Sequence, residues 1–180
     1  MVFPADTDSV LQAAVELANS ALPPDTLTSV ADLTEFVTRR EYTGQVTGDA
    51  DELAQVRAIR PRLAQLLSSE RDAAVGLVNA ILTESAAVPQ LVRHAPTDWH
   101  IHAVDPQAPL ARRILVETAM AMIDVIRADE TSRLSVCEDA DCQGIVLDLT
   151  RNRSRRYCST TCGNRNAAAA YRARQAGRTG

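Results

Sequence analysis

The chain has no lysine: all 19 of its basic residues are arginine. That absence fits a GC-rich genome and carries no function. Aromatic residues are scarce at 3%, whereas 46% of the chain is hydrophobic. A core must therefore be built mainly from leucine, valine, isoleucine and alanine, the composition of packed helices. No window holds the ~18 uninterrupted apolar residues that a membrane span requires. The opening MVFPADTDSV lacks the basic start and long apolar run of a signal peptide. These absences lead us to expect a cytoplasmic protein with no membrane partner. In a reducing compartment, cysteines serve as metal ligands or free thiols rather than as disulfides. A glycine-rich phosphate loop and a Ser-His-Asp motif are both missing, so nothing indicates an enzyme.

Acids are missing from one part of the chain only. Residues 151 to 180 carry eight arginines and no aspartate or glutamate, a charge of +8. Residues 1 to 150 carry 11 arginines against 23 acids, a charge of −12. Such a split points to a basic module for an anionic partner. A basic tail that meets only the chain's own acidic body is the alternative.

The length of 180 residues suits one medium domain, or one domain with a small module. Apolar spacing predicts helices over 8–20, 28–40, 50–69 and 71–85. Asp49 and Glu52 give the third a capping-box-like start, and Pro61 should kink or split it. WHIHAV alternates, placing Trp99, Ile101 and Ala103 on one face and His100, His102 and Val104 on the other. With a turn at APTD this predicts a short β-hairpin. The helix predicted over 109–128 is apolar nearly all round and should be central.

The chain's only cysteines are Cys137, Cys142, Cys158 and Cys162. Two close pairs separated by a short segment are how a chain wraps one tetrahedral zinc ion. Pairs of free thiols or a redox pair would not explain four cysteines clustered with none elsewhere. Gly144 is expected to take a left-handed conformation in the metal-binding turn. IVLDLTRNRSRRYC reads as a strand, a turn over TRNRS and a returning strand. The second cysteine pair opens a helix that Ser159 can cap. That helix N-terminus should lower the thiolate pKa. A knuckle, a hairpin and a ligand-bearing helix form a treble-clef-like arrangement. The fold class expected is thus mainly α with a short β-hairpin, plus a C-terminal treble-clef-like zinc finger.

The segments CEDADC, LDLTRNRSRRYCSTTCGNRNAAAAYRAR and the tetrapeptide Cys162-Gly163-Asn164-Arg165 resemble the CGNR zinc-finger family over about residues 133–176. In that family the finger follows a helical domain called ABATE, which residues 8–128 resemble in layout. The resemblance implies domains at 1–130 and 133–180 and a zinc ion on the four cysteines. It also implies a bacterial, stress-induced transcription regulator whose finger binds DNA.

Arg151, Arg153, Arg155, Arg156, Arg165, Arg172 and Arg174 are the candidate nucleic-acid contacts. Strand alternation sends the first four to both faces. On the helix, Arg165 and Arg172 share a side that Arg174 does not. This scatter suits phosphate contact better than base readout. Arg165 lies beside the zinc and can be structural instead. Asn164 and Asn166 have the groups to read an adenine edge, and Asn164 is expected to tie the finger's own backbone. His100 and His102 could hold a metal with His94 across the hairpin, but no third ligand lies in sequence range. A half-exposed strand face is the simpler account. The helical part is expected to sense a small-molecule effector or to pair subunits as a homodimer. The alternatives are a protein-interaction module with purely structural zinc, and an RNA-binding finger.

Overall fold

The computed structural model describes residues 3–94 and 97–176. The helices are α1 (Ala5–Asn19), α2 (Val30–Arg39), α3 (Ala50–Ser68), α4 (Arg71–Glu84), α5 (Leu110–Arg127) and α6 (Thr160–Ala176). Two antiparallel pairs join β1 (Gln90–His94) to β2 (Thr97–His102) and β3 (Leu134–Val136) to β4 (Ile145–Leu147). The chain is mainly α, as the apolar periodicity predicts.

Side-chain caps fix where α2 and α3 begin. The Ser29 hydroxyl accepts from the N–H of Asp32, whose carboxylate accepts from the N–H of Ser29, a complete capping box at α2. At α3 the box is offset by one residue. Asp49 accepts from the Glu52 N–H, but the Glu52 carboxylate accepts from Gly48.

Pro61 does not split α3, which runs unbroken from Ala50 to Ser68. A proline removes the N–H that the carbonyl four residues earlier needs. Here the Arg60 Nε donates to the Arg57 carbonyl at 3.3 Å and fills that gap. The Arg60 guanidinium also makes a two-pronged pair with Asp25, at 2.9 and 3.0 Å. This pair holds the α1–α2 loop to α3 and pulls the Asp25 carboxyl down to about 2.

Helix α5 is central, packing against α1, α3 and α4. Leu110, Ile114, Val116, Ala119, Met122 and Val125 are almost fully buried on it. Its Arg113 is buried as well, and donates to the carbonyls of Thr43, Gln45 and Ala108. That solves the problem of a buried cation by hydrogen-bonding it to the segments before α3 and α5. On the first hairpin, Leu91 pairs with Ile101, and both side chains are exposed together with Trp99. Ala103, expected on that face, lies beyond the strand and is buried. The His94 side chain lies outside the described residues.

The second strand pair differs from the expectation. β4 pairs back onto β3, ahead of the first cysteine, and the SRRYC segment is not a strand. The Asp148 carboxylate replaces ladder bonds there. It accepts from the Thr150 N–H at 2.8 Å, the Thr150 hydroxyl at 2.6 Å and the Arg155 N–H at 2.7 Å. A β-strand alternation of the arginines in this segment therefore does not apply.

β4 also reaches into the helical part. Ile145 and Leu147 are buried in the same apolar cluster as α1, α3 and α5. The Asn19 amide reads the β4 backbone like a neighbouring strand. Its Nδ2 donates to the Ile145 carbonyl at 2.8 Å, and its Oδ1 accepts from the Ile145 N–H at 2.7 Å. A chain ending at Ser132 loses this cover. Each of Ile145 and Leu147 contributes about 1.5–3 kcal/mol by burial. We expect that shortened chain to melt cooperatively but well below the full-length protein in calorimetry. An unchanged melting temperature would show that the contact carries no stability.

Candidate metal centre

Backbone turns bring the first two sulfurs together. The Cys137 N–H donates to the Gly144 carbonyl at 2.7 Å, and the Cys142 N–H to the Asp139 carbonyl at 2.9 Å. The Gly144 N–H donates to the Cys142 Sγ at 3.4 Å. The second pair arrives on the far side of the Asp148 turn, where the Glu138 N–H donates to the Arg156 carbonyl at 3.0 Å. The Cys158 N–H then donates to the Cys137 Sγ at 3.4 Å. Ser159 caps α6 by accepting from the Cys162 N–H at 3.2 Å, as the sequence predicts.

The four Sγ atoms lie within 4.8 Å of one another. Cys158 is 3.5 Å from Cys142 and 3.9 Å from Cys162, sulfur to sulfur. A zinc ion with Zn–S bonds of about 2.3 Å needs tetrahedral edges of about 3.8 Å. The sulfurs therefore fit one zinc ion, and their N–H donors are the contacts that thiolates accept. The Ser159 hydroxyl is the first cause that lowers the Cys162 thiol to about 7, with Arg165 adding to it. Burial raises Cys142 and Cys158 in the absence of a cation. Zinc reverses that cost by binding the deprotonated sulfurs.

Gly144 is required here, though not for the expected reason. It is not left-handed; the described glycines with positive φ are Gly44 and Gly48. A Cβ on Gly144 would lie 2.7 Å from the Cys158 Sγ and 3.1 Å from Leu22 Cδ1. The backbone passes too close to the metal ligand for any side chain.

Asp139 fastens the cysteine knuckle to α6. Its buried carboxylate accepts from Arg165 Nε at 2.8 Å and from Asn166 Nδ2 at 2.6 Å. Its other oxygen accepts from the Asp141 N–H at 3.1 Å. Burial alone would raise this carboxyl, but the Arg165 and Asp141 donors outweigh it and hold it below the ordinary range. Arg165 also reaches the Cys162 Sγ at 3.6 Å, and Asn166 donates to the Cys162 carbonyl at 3.0 Å. The backbone tie expected of Asn164 thus belongs to Asn166. Asn164 is exposed, with no side-chain hydrogen bond among the described residues. The sequence reading missed Asp139, although CEDADC offered it and the finger has few acids to pair with Arg165.

The other arginines divide into two groups. Arg153 is tied to Glu130 at 2.8 Å and to the Ser132 hydroxyl at 3.2 Å. Arg155 leans on the carbonyls of Leu147, Tyr157 and Cys158 at 3.3–3.5 Å. Arg156 is exposed and 3.5 Å from Glu138. Arg151, Arg172 and Arg174 are exposed, with no hydrogen bond or ion pair among the described residues. A cavity of about 720 Å³ opens where Gln12, Val15, Glu16 and Arg40 face Leu147, Leu149, Thr150, Arg155 and Cys158.

Two comparisons agree with this geometry. Residues 133–175 match the family described as CGNR zinc finger. Residues 11–129 match ABATE, described as "Putative stress-induced transcription regulator". That second match spans more than half of the chain, so the chain belongs to the ABATE family and carries a CGNR zinc finger after it. No curated protein matches the chain. The four-cysteine site holds one zinc ion.

Full-length protein purified without added zinc should contain close to one equivalent by metal analysis. Gly144→Ala and Cys158→Ser should each lose most of it, because zinc binding is worth ~10 kcal/mol or more to a small finger. Full zinc retention in Gly144→Ala would refute the close-approach account. Arg165→Ala should keep zinc near neutral pH yet release it to a chelator faster than wild type.

Proposed function

We propose that this ABATE-family protein is a DNA-contacting transcription regulator and not an enzyme. The observation that carries this reading is the outer surface of the finger. There Arg151, Arg156, Arg172 and Arg174 point to solvent in a segment free of acids. Guanidinium groups so placed suit phosphate oxygens, which lie on every DNA sequence. Arg153, Arg155 and Arg165 have internal partners, so they shape the finger instead of meeting DNA. Asn164, exposed near the start of α6, is the side chain best placed for a base edge.

In this reading the helical part acts by taking a small-molecule effector or by pairing subunits. The cavity between α1, α2 and the finger is the support for an effector. Its volume is that of a small-molecule site, and it lies where two sequence modules meet. A ligand there would touch Arg155 and Cys158 on one side and Glu16 and Arg40 on the other, coupling the finger to the helices.

Duplex DNA binding measured against salt tests the reading. About four arginines on phosphates give a slope of roughly −3 to −4 in log K against log salt. Arg172→Ala combined with Arg174→Ala should flatten the slope by up to about two units and leave zinc unchanged. Arg165→Ala should lower the melting temperature and leave the slope alone. If the wild-type protein has no duplex affinity near ~50 mM salt, where phosphate contacts are strong, the DNA reading fails. A protein-interaction role, which the internally paired arginines favour, then takes its place. Preference for single-stranded RNA over duplex DNA would instead select an RNA-binding finger.

A further inference from the structure

The four sulfurs of the metal centre are not equivalent. N–H groups donate to three of them: Gly144 to the Cys142 Sγ at 3.4 Å, Cys158 to the Cys137 Sγ at 3.4 Å and Arg165 to the Cys162 Sγ at 3.6 Å. The Cys158 Sγ accepts from no N–H among the described residues, and its close neighbours are the sulfurs of Cys142 and Cys162. An N–H donor draws electron density from a thiolate and blunts its attack on an electrophile. With all four sulfurs on one ion, Cys158 keeps the most density and is the strongest nucleophile of the set.

Access differs in the same direction. Cys137 and Cys162 are buried, at 6% and 5% exposure, whereas Cys142 and Cys158 are half-buried. The cavity of about 720 Å³ between the helices and the finger is lined by Cys158 and by no other cysteine. Its volume admits a small molecule. The least hydrogen-bonded sulfur thus belongs to the one cysteine that this cavity reaches.

We propose that Cys158 is the oxidation site of the finger, attacked by a small hydroperoxide that enters through this cavity, with Cys142 as its disulfide partner. The Cys158 thiolate attacks the terminal oxygen of the hydroperoxide. The O–O bond breaks, the sulfur becomes a sulfenic acid, and the alkoxide leaves as an alcohol with a proton from solvent. The Cys142 thiolate, 3.5 Å from the Cys158 sulfur, then attacks it and expels hydroxide, which a second proton turns into water. Two thiolates have given up two electrons to form one disulfide, and the hydroperoxide has become alcohol and water. Cys162 is the poorer partner, being 3.9 Å away and buried. Zinc is bound by thiolate sulfur, so a centre with two of its four ligands in a disulfide releases the ion. Reduction by a thiol with zinc present restores it. The inference rests on the four-cysteine zinc centre and holds whether or not the finger contacts DNA.

The test uses full-length protein carrying its zinc, with the metal content measured first. After limiting N-ethylmaleimide, peptide mapping of the singly modified protein should place the label on Cys158. tert-Butyl hydroperoxide, followed with a colorimetric chelator, should release the zinc, and the product should map as a Cys142–Cys158 disulfide. Dithiothreitol with zinc should return the starting protein. Gln12→Trp changes an exposed residue of α1 that lines the cavity. This variant should keep its zinc and its melting temperature, yet react severalfold more slowly with both reagents. A first label on another cysteine, or one spread over all four, overturns the proposal. So do zinc retained in hydroperoxide, a disulfide other than Cys142–Cys158, and wild-type rates in Gln12→Trp. Purified protein without zinc refutes the metal centre itself, which is a separate failure.

Discussion

Four sulfurs around one dication tie together residues 133–176, whose own separate apolar cluster is small. The finger's separate apolar cluster has Val146 at its centre, with the cysteines and Tyr157 around it. Strands of three residues each cannot hold a sheet. Zinc therefore supplies the cohesion, and the surrounding polar contacts direct it. The Asp139–Arg165–Asn166 set fixes how α6 leaves the site, and Ser159 fixes where it starts. Beyond Asn166 the helix has no buried residue among those described: Ala167 to Ala170 are exposed. Alanine has the highest intrinsic helix propensity, so the run keeps an unsupported helix formed. Arg172 and Arg174 are carried outward on it as a result.

The same strand that leaves the zinc knuckle completes the core of the helical part. β4 gives Val146 to the finger cluster and Ile145 and Leu147 to the helices, by simple alternation. One strand thus serves two cores on its two faces. Asn19 fixes its register by pairing with the Ile145 backbone from the C-terminal end of α1. A slip of one residue would turn both apolar sets the wrong way. The finger is consequently mounted on the body through a sequence-specific register, not through a flexible linker. Arg133 ties the end of the helical part to this segment, donating to Glu130 at 2.7 Å and to the carbonyls of Asp148 and Thr150 at 3.0 Å each.

Much of this was legible in the sequence, where local chemistry decides the outcome. The helices follow apolar spacing, the first hairpin follows alternation, and the zinc site follows from four cysteines with no others to confuse them. The Ser159 cap also reads directly, because a cap is a contact across three residues. What stayed hidden depends on side-chain contacts that no simple residue pattern announces. Asp139 and Arg165 meet across 26 residues, and no local pattern pairs them. The uninterrupted α3 depends on an arginine side chain replacing a missing N–H, which the general rule for proline does not include. Gly144 looked like a turn glycine, yet its constraint is the Cys158 sulfur beside it. The returning strand failed because Asp148 satisfied the backbone donors first.

The charge split seen in the sequence acquires a spatial meaning from these pairings. Of the basic residues after position 150, Arg165 pairs with Asp139, and Arg153 shares Glu130 with Arg133. Both acids lie before position 150, so part of the apparent +8 is spent within the molecule. The zinc site subtracts further, since four thiolates and one dication sum to −2. Arg172 and Arg174 keep their charge near the end of α6, and salt screens such exposed charges within about 10 Å. Such a field suits contact at close quarters with a few phosphates. It would not suit long-range steering of the proposed DNA partner, because the acidic body would repel the same polyanion. In the proposed DNA contact, specificity would come from neutral groups close to the bases, and among the exposed polar side chains at the start of α6, Asn164 has both a donor and an acceptor to offer.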